Sequence, residues 1–255
     1  MSMYDFSVYL RSAVFYVVLF VFTIVFTSTC TIIGPALPYR LRFKVIIQGY
    51  TKFVTEWLRV CCKVDYRLEG LDNIPQTPCV IVSKHQSTWE TFFLQTLFAP
   101  QTQVIKKELL AIPFFGWAFS LVQPIAIDRS NKKDAMKQVL EQGKEKLEDN
   151  VWVLVFPEGT RINPGKSRPF SKGAAALAKH ANRPMLPVAH NAGEHWPNDG
   201  YLKYPGTIRV VFGPLIEPGT RSVDELTREA ETWINNRVDQ ISSHQQDTRI
   251  LSIHS

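Results

Sequence analysis

The fold is decided by the stretch Val151-Trp152-Val153-Leu154-Val155-Phe156-Pro157-Glu158-Gly159-Thr160-Arg161. Its valine-rich first half predicts a buried strand, and its second half predicts a loop at the end of that strand. In the loop, Gly159 permits close approach of the backbone to an anion, Thr160 offers a hydroxyl, and Arg161 is able to bind phosphate oxygens through two nitrogens. A structural turn held by an ion pair between Glu158 and Arg161 is the alternative interpretation.

Short apolar runs of the same kind recur along the chain and alternate with helical patterns. Strands are predicted at residues 66–69, 79–83, 103–106, 125–127, 151–156, 185–189 and 207–212. Helices are predicted at residues 87–98, 116–121, 132–149, 171–181 and 222–241. This alternation predicts a single α/β domain over residues 65–242, with a largely parallel sheet flanked by helices, and a polar C-terminal tail over residues 243–255.

Composition narrows the class of protein. The chain has 255 residues, a hydrophobic fraction of 45% and a net charge of +6, which indicate a folded domain with an appendage and favour anionic partners. Those partners include phospholipid headgroups, phosphorylated substrates and nucleic acid. None of the four cysteines forms a C-x-x-C pair, so the sequence predicts reduced thiols in a cytosol-facing protein.

The N-terminal segment is long and apolar. Residues 12–39 carry no formal charge, and residues 13–33 are long enough to cross a bilayer, which requires roughly 20 residues. A signal peptide is the alternative, but Asp5 offsets Arg11 in its charged region, and its apolar run exceeds the roughly 7–15 residues that are usual. We expect a retained anchor, either a membrane helix or a helical hairpin that enters one leaflet.

Residues 40–63 carry six basic residues against the single acid Glu56. This asymmetry predicts an anchor in the inner (cytoplasmic) membrane, with the following domain on the cytoplasmic side. Apolar residues interleave with the basic ones, which is typical of an amphipathic helix in the membrane interface. An ordinary helix packed on the domain is the alternative. We assign residues 1–64 to the anchor and interfacial helix.

His85 and Glu90 are candidate catalytic residues. His85 follows the predicted strand at 79–83, at the edge where open α/β sheets place their sites. The five-residue offset puts the two about 140° apart on an ideal helix, so they can pair only if His85 lies in the loop and Glu90 in the first helical turn. Glu90 would then orient the imidazole, which would act as a general base. Because Ser87 and Glu90 also fit a capping box, a helix cap is the alternative.

Two further basic residues, Lys106 and Arg129, end predicted strands and are candidates for the same anion. Other chemistries are poorly supported, because the sequence has no nucleophile-elbow, Walker or zinc-helix motif. His190 and His195 flank Glu194 without a clear third ligand, so no metal site is predicted. No nucleic-acid-binding motif is present, and no nucleic-acid partner is expected.

Together these segments resemble the 1-acylglycerol-3-phosphate acyltransferase family, over roughly residues 66–212. The first family block is a histidine, four residues and an acid, which His85-Gln86-Ser87-Thr88-Trp89-Glu90 matches. Ile127-Asp128-Arg129 resembles the second block, Phe156-Pro157-Glu158-Gly159-Thr160-Arg161 the third, and Leu186-Pro187-Val188 the fourth. The family acid is usually aspartate, so the longer glutamate must reach the histidine from a different backbone position.

The resemblance implies a glycerolipid-acyltransferase-like domain that acylates the sn-2 hydroxyl of 1-acylglycerol 3-phosphate and forms phosphatidate. His85 would remove the hydroxyl proton and Glu90 would orient it, with no covalent acyl-enzyme and no metal or redox cofactor. The implied partners are a lysophospholipid acceptor, acyl-CoA or acyl carrier protein as donor, and membrane lipids. The implied phosphate-binding residues are Glu158, Gly159, Thr160, Arg161, Arg129 and Lys106. Acylation of another lysophospholipid, or lipid binding without catalysis, are the remaining alternatives.

Overall fold

The computed structural model of the protein describes residues 3–128 and 132–242, so Arg129 and the predicted tail lie outside the described residues. The described residues form a seven-stranded sheet in the order β1-β7-β6-β2-β5-β3-β4. Five strands run parallel to one another: β6, β2, β5, β3 and β4. Strand β7 pairs antiparallel with β6, and β1 pairs parallel with β7. The predicted α/β fold with a largely parallel sheet is confirmed.

All seven predicted strands are present, with shifts only at their ends. They are β1 Val64–Glu69, β2 Val80–Ser83, β3 Gln101–Lys106, β4 Ile125–Ile127, β5 Trp152–Val155, β6 Met185–His190 and β7 Gly206–Phe212. Alternate residues of β2 serve the two faces of the sheet, because successive side chains of a strand point in opposite directions. Ile81 joins one buried cluster, and Val80 and Val82 join the other.

The α-helices of the domain cover both faces of the sheet. They are α4 Trp89–Leu97, α5 Phe115–Ser120, α6 Lys132–Glu148, α7 Gly173–Ala181, α8 Ala192–His195 and α9 Val223–Ile241. Helix α4 contributes to one core cluster, whereas α6, α7 and α9 contribute to the other. A capping box begins α9, since Ser222 and Glu225 exchange both hydrogen bonds.

The N-terminal residues form a helical hairpin. Its first arm is α1, Met3–Ile33, and its second arm contains α2 (Tyr39–Arg42), a π-helical segment (Phe43–Gln48) and α3 (Gly49–Cys62). One face of α3 is buried between α1 and α4, so this segment packs on the domain, as the second interpretation of residues 40–63 expected. Its basic side chains remain largely exposed. The predicted domain boundary after residue 64 is not tested by this packing and stays a prediction.

Helix α1 is apolar on its outer side as well as its inner side. Within the described residues, Tyr4–Ala36 is the one helix long and apolar enough to cross a membrane. A core helix of a soluble protein passes the same length and hydropathy test, but only 17% of this window is buried. The outer side exposes a stripe at helical spacing: Phe6, Leu10, Val14, Val17, Val21, Val25 and Ile32. Soluble proteins rarely expose a continuous apolar surface of this extent.

Polar contacts attach the inner side of α1 to the domain. Ser12 Oγ accepts from the Lys203 backbone N–H at 2.8 Å, and the Phe15 carbonyl accepts from Trp57 Nε1 at 3.2 Å. The Lys203 side chain is 1% exposed, and its Nζ lies 4.6 Å from the centre of the Tyr16 ring. Burial lowers the pKa of Lys203 to about 8. The contacts of α1 therefore extend to a loop late in the chain.

We expect Gly70→Ala to lower the free energy of unfolding by about 2 to 4 kcal/mol, because two costs add. Gly70 ends β1 with a φ of +74°, and a Cβ there would lie 2.2 Å from the Phe212 carbonyl oxygen. Gly219→Ala is the matched control, with a φ of +46° and no atom within 4 Å, and should cost only about 1 kcal/mol. Denaturant unfolding in detergent measures both. Equal losses would contradict a role for the Phe212 contact.

Candidate active site

The two predicted motifs meet because their strands are neighbours. Strand β2 pairs in parallel with β5, with Val82 opposite Val155, so the loops that follow both strands leave the same edge of the sheet. The backbone N–H of Ile162 donates to the His85 carbonyl at 2.8 Å and joins the loops directly. The ring of His85 stacks on Phe156, with 4.0 Å between ring centres. The histidine motif and the glycine-containing loop therefore form one site.

His85 and Glu90 form a hydrogen-bonded pair. His85 lies in the loop and Glu90 is the second residue of α4, as the spacing argument required. Glu90 Oε1 lies 2.9 Å from His85 Nδ1. An ionised carboxylate only accepts hydrogen bonds, so the proton of a neutral imidazole belongs on Nδ1, and Nε2 is left as the basic nitrogen. The glutamate side chain is therefore long enough to reach the histidine.

Glu90 also organises the loop around it. The same oxygen accepts from the backbone N–H of Gln86 at 2.9 Å and of Ser87 at 2.8 Å. The capping box that was the alternative is not formed, because the N-cap residue of α4 is Thr88, without a side-chain cap hydrogen bond, and Ser87 Oγ accepts from the Trp89 N–H instead. Burial alone would raise the pKa of Glu90, but the positive potential of His190 and His85 and the Ser87 N–H outweigh it and hold that pKa below its ordinary value. Glu90 is therefore a stable anion beside the imidazole.

A cavity of about 940 Å³ opens beside the pair. At its polar end it is lined by His85, Gly159, Thr160 and Arg161. Many apolar side chains from the hairpin, α4, α5 and α6 also line it, together with polar ones such as Thr91, Gln95 and Gln103. The apolar ones include Ile46, Ile47, Tyr50, Phe92, Phe115, Phe119 and Val139. The cavity therefore suits a ligand with a polar, anionic end and a long apolar part.

Three basic residues line this cavity. Arg161, Lys106 and Arg168 all line it, whereas Lys172 pairs with Asp224 at the surface. Arg161 Nη1 lies 3.3 Å from Asn198 Oδ1. Its Nε is buried and has no hydrogen-bond partner among the described residues. An unpartnered buried donor is unfavourable unless a ligand accepts from it, so the arrangement favours an anion at this position.

Glu158 lines the cavity, and both of its carboxylate oxygens have partners within the protein. Its Oε1 accepts from Lys84 Nζ at 2.6 Å, and its Oε2 accepts from the His85 backbone N–H at 2.8 Å. Both oxygens are thus engaged away from Arg161, and a carboxylate would in any case repel a phosphate. Burial raises the pKa of Glu158, although Lys84 and the His85 N–H oppose that shift. Glu158 therefore connects the two loops, and its predicted contact with a phosphate stays a prediction.

Comparison with known proteins agrees with this geometry. The acyltransferase family model matches residues 65–191. A protein of Pseudomonas aeruginosa named 1-acyl-sn-glycerol-3-phosphate acyltransferase is 49% identical over 240 residues, which cover 93% of each chain. The chain belongs to the 1-acyl-sn-glycerol-3-phosphate acyltransferase family.

More distant relatives share parts of this acyltransferase or its fold. The chloroplast protein of that name from Brassica napus is 30% identical over 186 residues, which cover 69% of this chain and 53% of the relative. The crystal structure of the 1-acyl-sn-glycerophosphate acyltransferase of Thermotoga maritima has a TM-score of 0.78 and 24% identity, and it covers 94% of this chain and 98% of its own. That structural likeness supports the fold, including the N-terminal helices.

Three residues of the acyltransferase site were not expected from the sequence. Lys84 is buried beside His85, and Asn235 of α9 lies 3.4 Å from its Nζ. His190 accepts from the Ala192 N–H through Nδ1 and contacts the Lys84 carbonyl through Nε2 at 2.8 Å. The one sequence signal for Lys84 is its position directly after a buried strand. A charged side chain that is buried there requires a partner. His190 was considered only as a metal ligand.

We expect a strong energetic coupling between Lys84 and Glu158, whose side chains are 2% and 0% exposed. Removing one partner leaves a buried charge unpaired, so Lys84→Met or Glu158→Gln alone should destabilise the protein by about 3 kcal/mol. The double variant should recover about 2 kcal/mol of the summed loss. The pair Lys172–Asp224, exposed and 2.5 Å apart, is the control and should couple by less than about 1 kcal/mol. Equal coupling in both cycles would contradict the buried pair.

The lowered pKa of Glu90 predicts a pH dependence of stability. A carboxyl group whose pKa is lower when folded contributes stability above its ordinary value of 4.5, and that contribution is lost as the pH falls through the folded pKa. The stability of wild type relative to Glu90→Gln should therefore decrease below about pH 4.5. Glu145→Gln, on an exposed position of α6, should leave the pH dependence unchanged. A constant difference between wild type and Glu90→Gln would contradict the shift.

Proposed function

We propose that this acyltransferase moves a fatty acyl group from an acyl thioester to the free sn-2 hydroxyl of 1-acylglycerol 3-phosphate, forming phosphatidate. The single observation that supports the proposal most is the His85–Glu90 pair at 2.9 Å, placed beside a cavity whose lining combines three basic residues with many apolar side chains. The name of the Pseudomonas relative supports the same acceptor. Acyl-CoA and acyl carrier protein both fit as the thioester donor.

The proposed reaction is a direct transfer. His85 Nε2 removes the hydroxyl proton as the acceptor oxygen attacks the thioester carbonyl. The tetrahedral intermediate collapses and the carbon–sulfur bond breaks. The leaving thiolate then accepts from His85 the proton that came from the hydroxyl. Glu90 stabilises the imidazolium between these steps, because its carboxylate is fixed on Nδ1. The route uses no acyl-enzyme, metal or redox cofactor.

The cavity suggests how the acceptor lies. Its phosphate would be bound by Arg161, whose buried Nε has no partner in the described part of the chain, with Gly159 and Thr160 beside it. Lys106 and Arg168 would add positive potential from the same cavity wall. Arg129, which lies outside the described residues, stays a prediction as a phosphate contact. A fatty acyl chain would lie among the apolar side chains at the other end.

We also propose that the protein is held at the membrane by the helical hairpin. The exposed apolar stripe of α1 would face the acyl chains of one leaflet, because the opposite face of α1 is packed on the domain at both ends. Crossing the bilayer would break those contacts. The exposed basic residues of α2 and α3 favour the inner (cytoplasmic) membrane, with the domain on its cytoplasmic side.

The proposal is tested with membranes that contain wild-type protein or variants, supplied with lysophosphatidate and an acyl thioester. His85→Ala should lower the turnover rate by a factor of about 10² to 10⁴, as expected for loss of a general base. His180→Ala is the matched control, because His180 is exposed in the last turn of α7. Undiminished phosphatidate formation by His85→Ala would contradict the mechanism.

The same assay tests the acceptor. Arg161→Ala should raise KM for lysophosphatidate about tenfold or more, because a charge-assisted contact to phosphate is lost. With a lysolipid that lacks a terminal phosphate, wild type should show little activity. Transfer only to such lysolipids would overturn phosphatidate formation and favour a membrane-remodelling acyltransferase.

A further inference from the structure

An exposed apolar segment lies between β3 and β4. It contains a 3₁₀ helix, Lys107–Ala111, and helix α5. Four large apolar side chains of this segment are exposed, and Phe114 and Trp117 expose 41% and 49% of their surface. The other two are Leu109 and Ile112. The rings of Phe114 and Trp117 lie 5.4 Å apart, so the two form a continuous aromatic patch. We call these four residues the rim patch.

The backbone holds the rim patch in this exposed arrangement. Phe114 has φ of +63° and ψ of −65°, and the Phe115 N–H donates to the Pro113 carbonyl at 2.7 Å, which defines a strained γ-turn. A bulky residue with positive φ is a true outlier, and strained residues of this kind cluster at functional sites. Here the strained turn precedes α5 and leaves an aromatic side chain partly in solvent. In water alone, no contact of the exposed ring would offset the strain of this turn.

The inner side of the same segment packs on the proposed membrane hairpin. Ala118 of α5 is buried in a cluster with Cys30 of α1 and Phe43 and Ile46 of the second arm. Phe115 and Phe119 line the cavity that reaches His85. The rim patch is therefore continuous with the proposed membrane face and lies at the edge of the acyl cavity.

The charges around the rim patch fit an anionic surface. Lys106 and Lys107 are exposed and precede it directly, against the single acid Glu108. Arg40 and Lys44, also exposed, lie on the neighbouring arm of the hairpin, where the Tyr39 hydroxyl contacts the Val122 carbonyl. Apolar aromatic side chains bordered by lysine and arginine are the composition that binds the headgroup region of anionic bilayers.

We propose that the rim patch is a second bilayer contact, which inserts into the leaflet that holds α1 and places the opening of the cavity against the acyl-chain region. A lysolipid would then enter with its chain shielded from water throughout. This inference rests on the proposed function in taking a lysolipid as the substrate and in placing α1 in one leaflet of the membrane. A protein partner, or a second copy of the chain, on this patch would overturn it.

The bilayer contact is measured directly by fluorescence. The full chain is placed in vesicles of phosphatidylcholine and phosphatidylglycerol whose acyl chains carry bromine, which quenches nearby tryptophan. The contribution of Trp117 is the difference between wild type and Trp117→Phe, a substitution that keeps an aromatic ring. We expect that contribution to be strongly quenched. A difference spectrum that bromine does not quench would overturn the proposal. That is also the result expected if a protein partner or a second copy of the chain covers the patch.

The consequence for catalysis is measured with the double variant Phe114→Ser/Trp117→Ser, since neither residue lines the cavity. For a long-chain lysophosphatidate presented in vesicles, KM should rise about tenfold. For a short-chain lysophosphatidate dissolved as monomers, kcat/KM should change less than about twofold, because that substrate does not enter from the bilayer. An equal loss with both substrates would show a structural role only and overturn the proposal, as would no change with either.

Leu71→Ser is the matched control. Leu71 is 50% exposed and follows β1, which is at the far end of the sheet and runs opposite to the central strands. This variant should change neither KM nor quenching. The two experiments, quenching and kinetics, also distinguish a failure of this inference from a failure of the proposed function. If wild type acylates neither lysophosphatidate, the proposed reaction fails, and the quenching of Trp117 still decides the bilayer contact.

Discussion

The site depends on one buried ion pair, Lys84 with Glu158. The pair joins the loops that follow two neighbouring parallel strands, and the second oxygen of Glu158 holds the backbone N–H of His85. Two charges removed from water require close geometry and further hydrogen bonds to be tolerated, and these loops supply both. The hydrogen bonds that stabilise the buried pair also fix the position of the histidine. Together with the hydrogen bond from the Ile162 N–H to the His85 carbonyl, the ion pair fixes the position of one motif against the other.

Glu90 shows how one carboxylate serves both structure and chemistry. Its Oε1 accepts from two backbone N–H groups of the loop and from the imidazole. The loop therefore cannot shift without disturbing the histidine, and the histidine cannot rotate without losing its partner. The glutamate side chain starts in the first turn of α4 and still reaches all three donors. This answers how the longer acid replaces the aspartate that is usual in the family.

Much of the fold could be predicted from the sequence, because strands and helices follow from local patterns such as the valine-rich run before Phe156. The pairing of His85 with Glu90 was also predictable, since their spacing admits one geometry. The ion pair of Glu158 with Lys84 could not be predicted, because the two residues lie 74 positions apart and no local pattern indicates that contact. The packing of α3 between α1 and α4 was one of two open alternatives, because an amphipathic helix has the same pattern on a membrane and on a domain.

The bond between Ser12 and Lys203 has a consequence for the order in which the protein assembles. Helix α1 precedes every strand of the sheet, yet its partner at Lys203 lies 191 residues later in the chain. During synthesis the helix must wait, with both faces apolar, until the loop before β7 has been made. A lipid leaflet is the environment in which such a helix can wait without aggregating. The membrane would then serve as a holding surface during folding before it serves as the source of substrate.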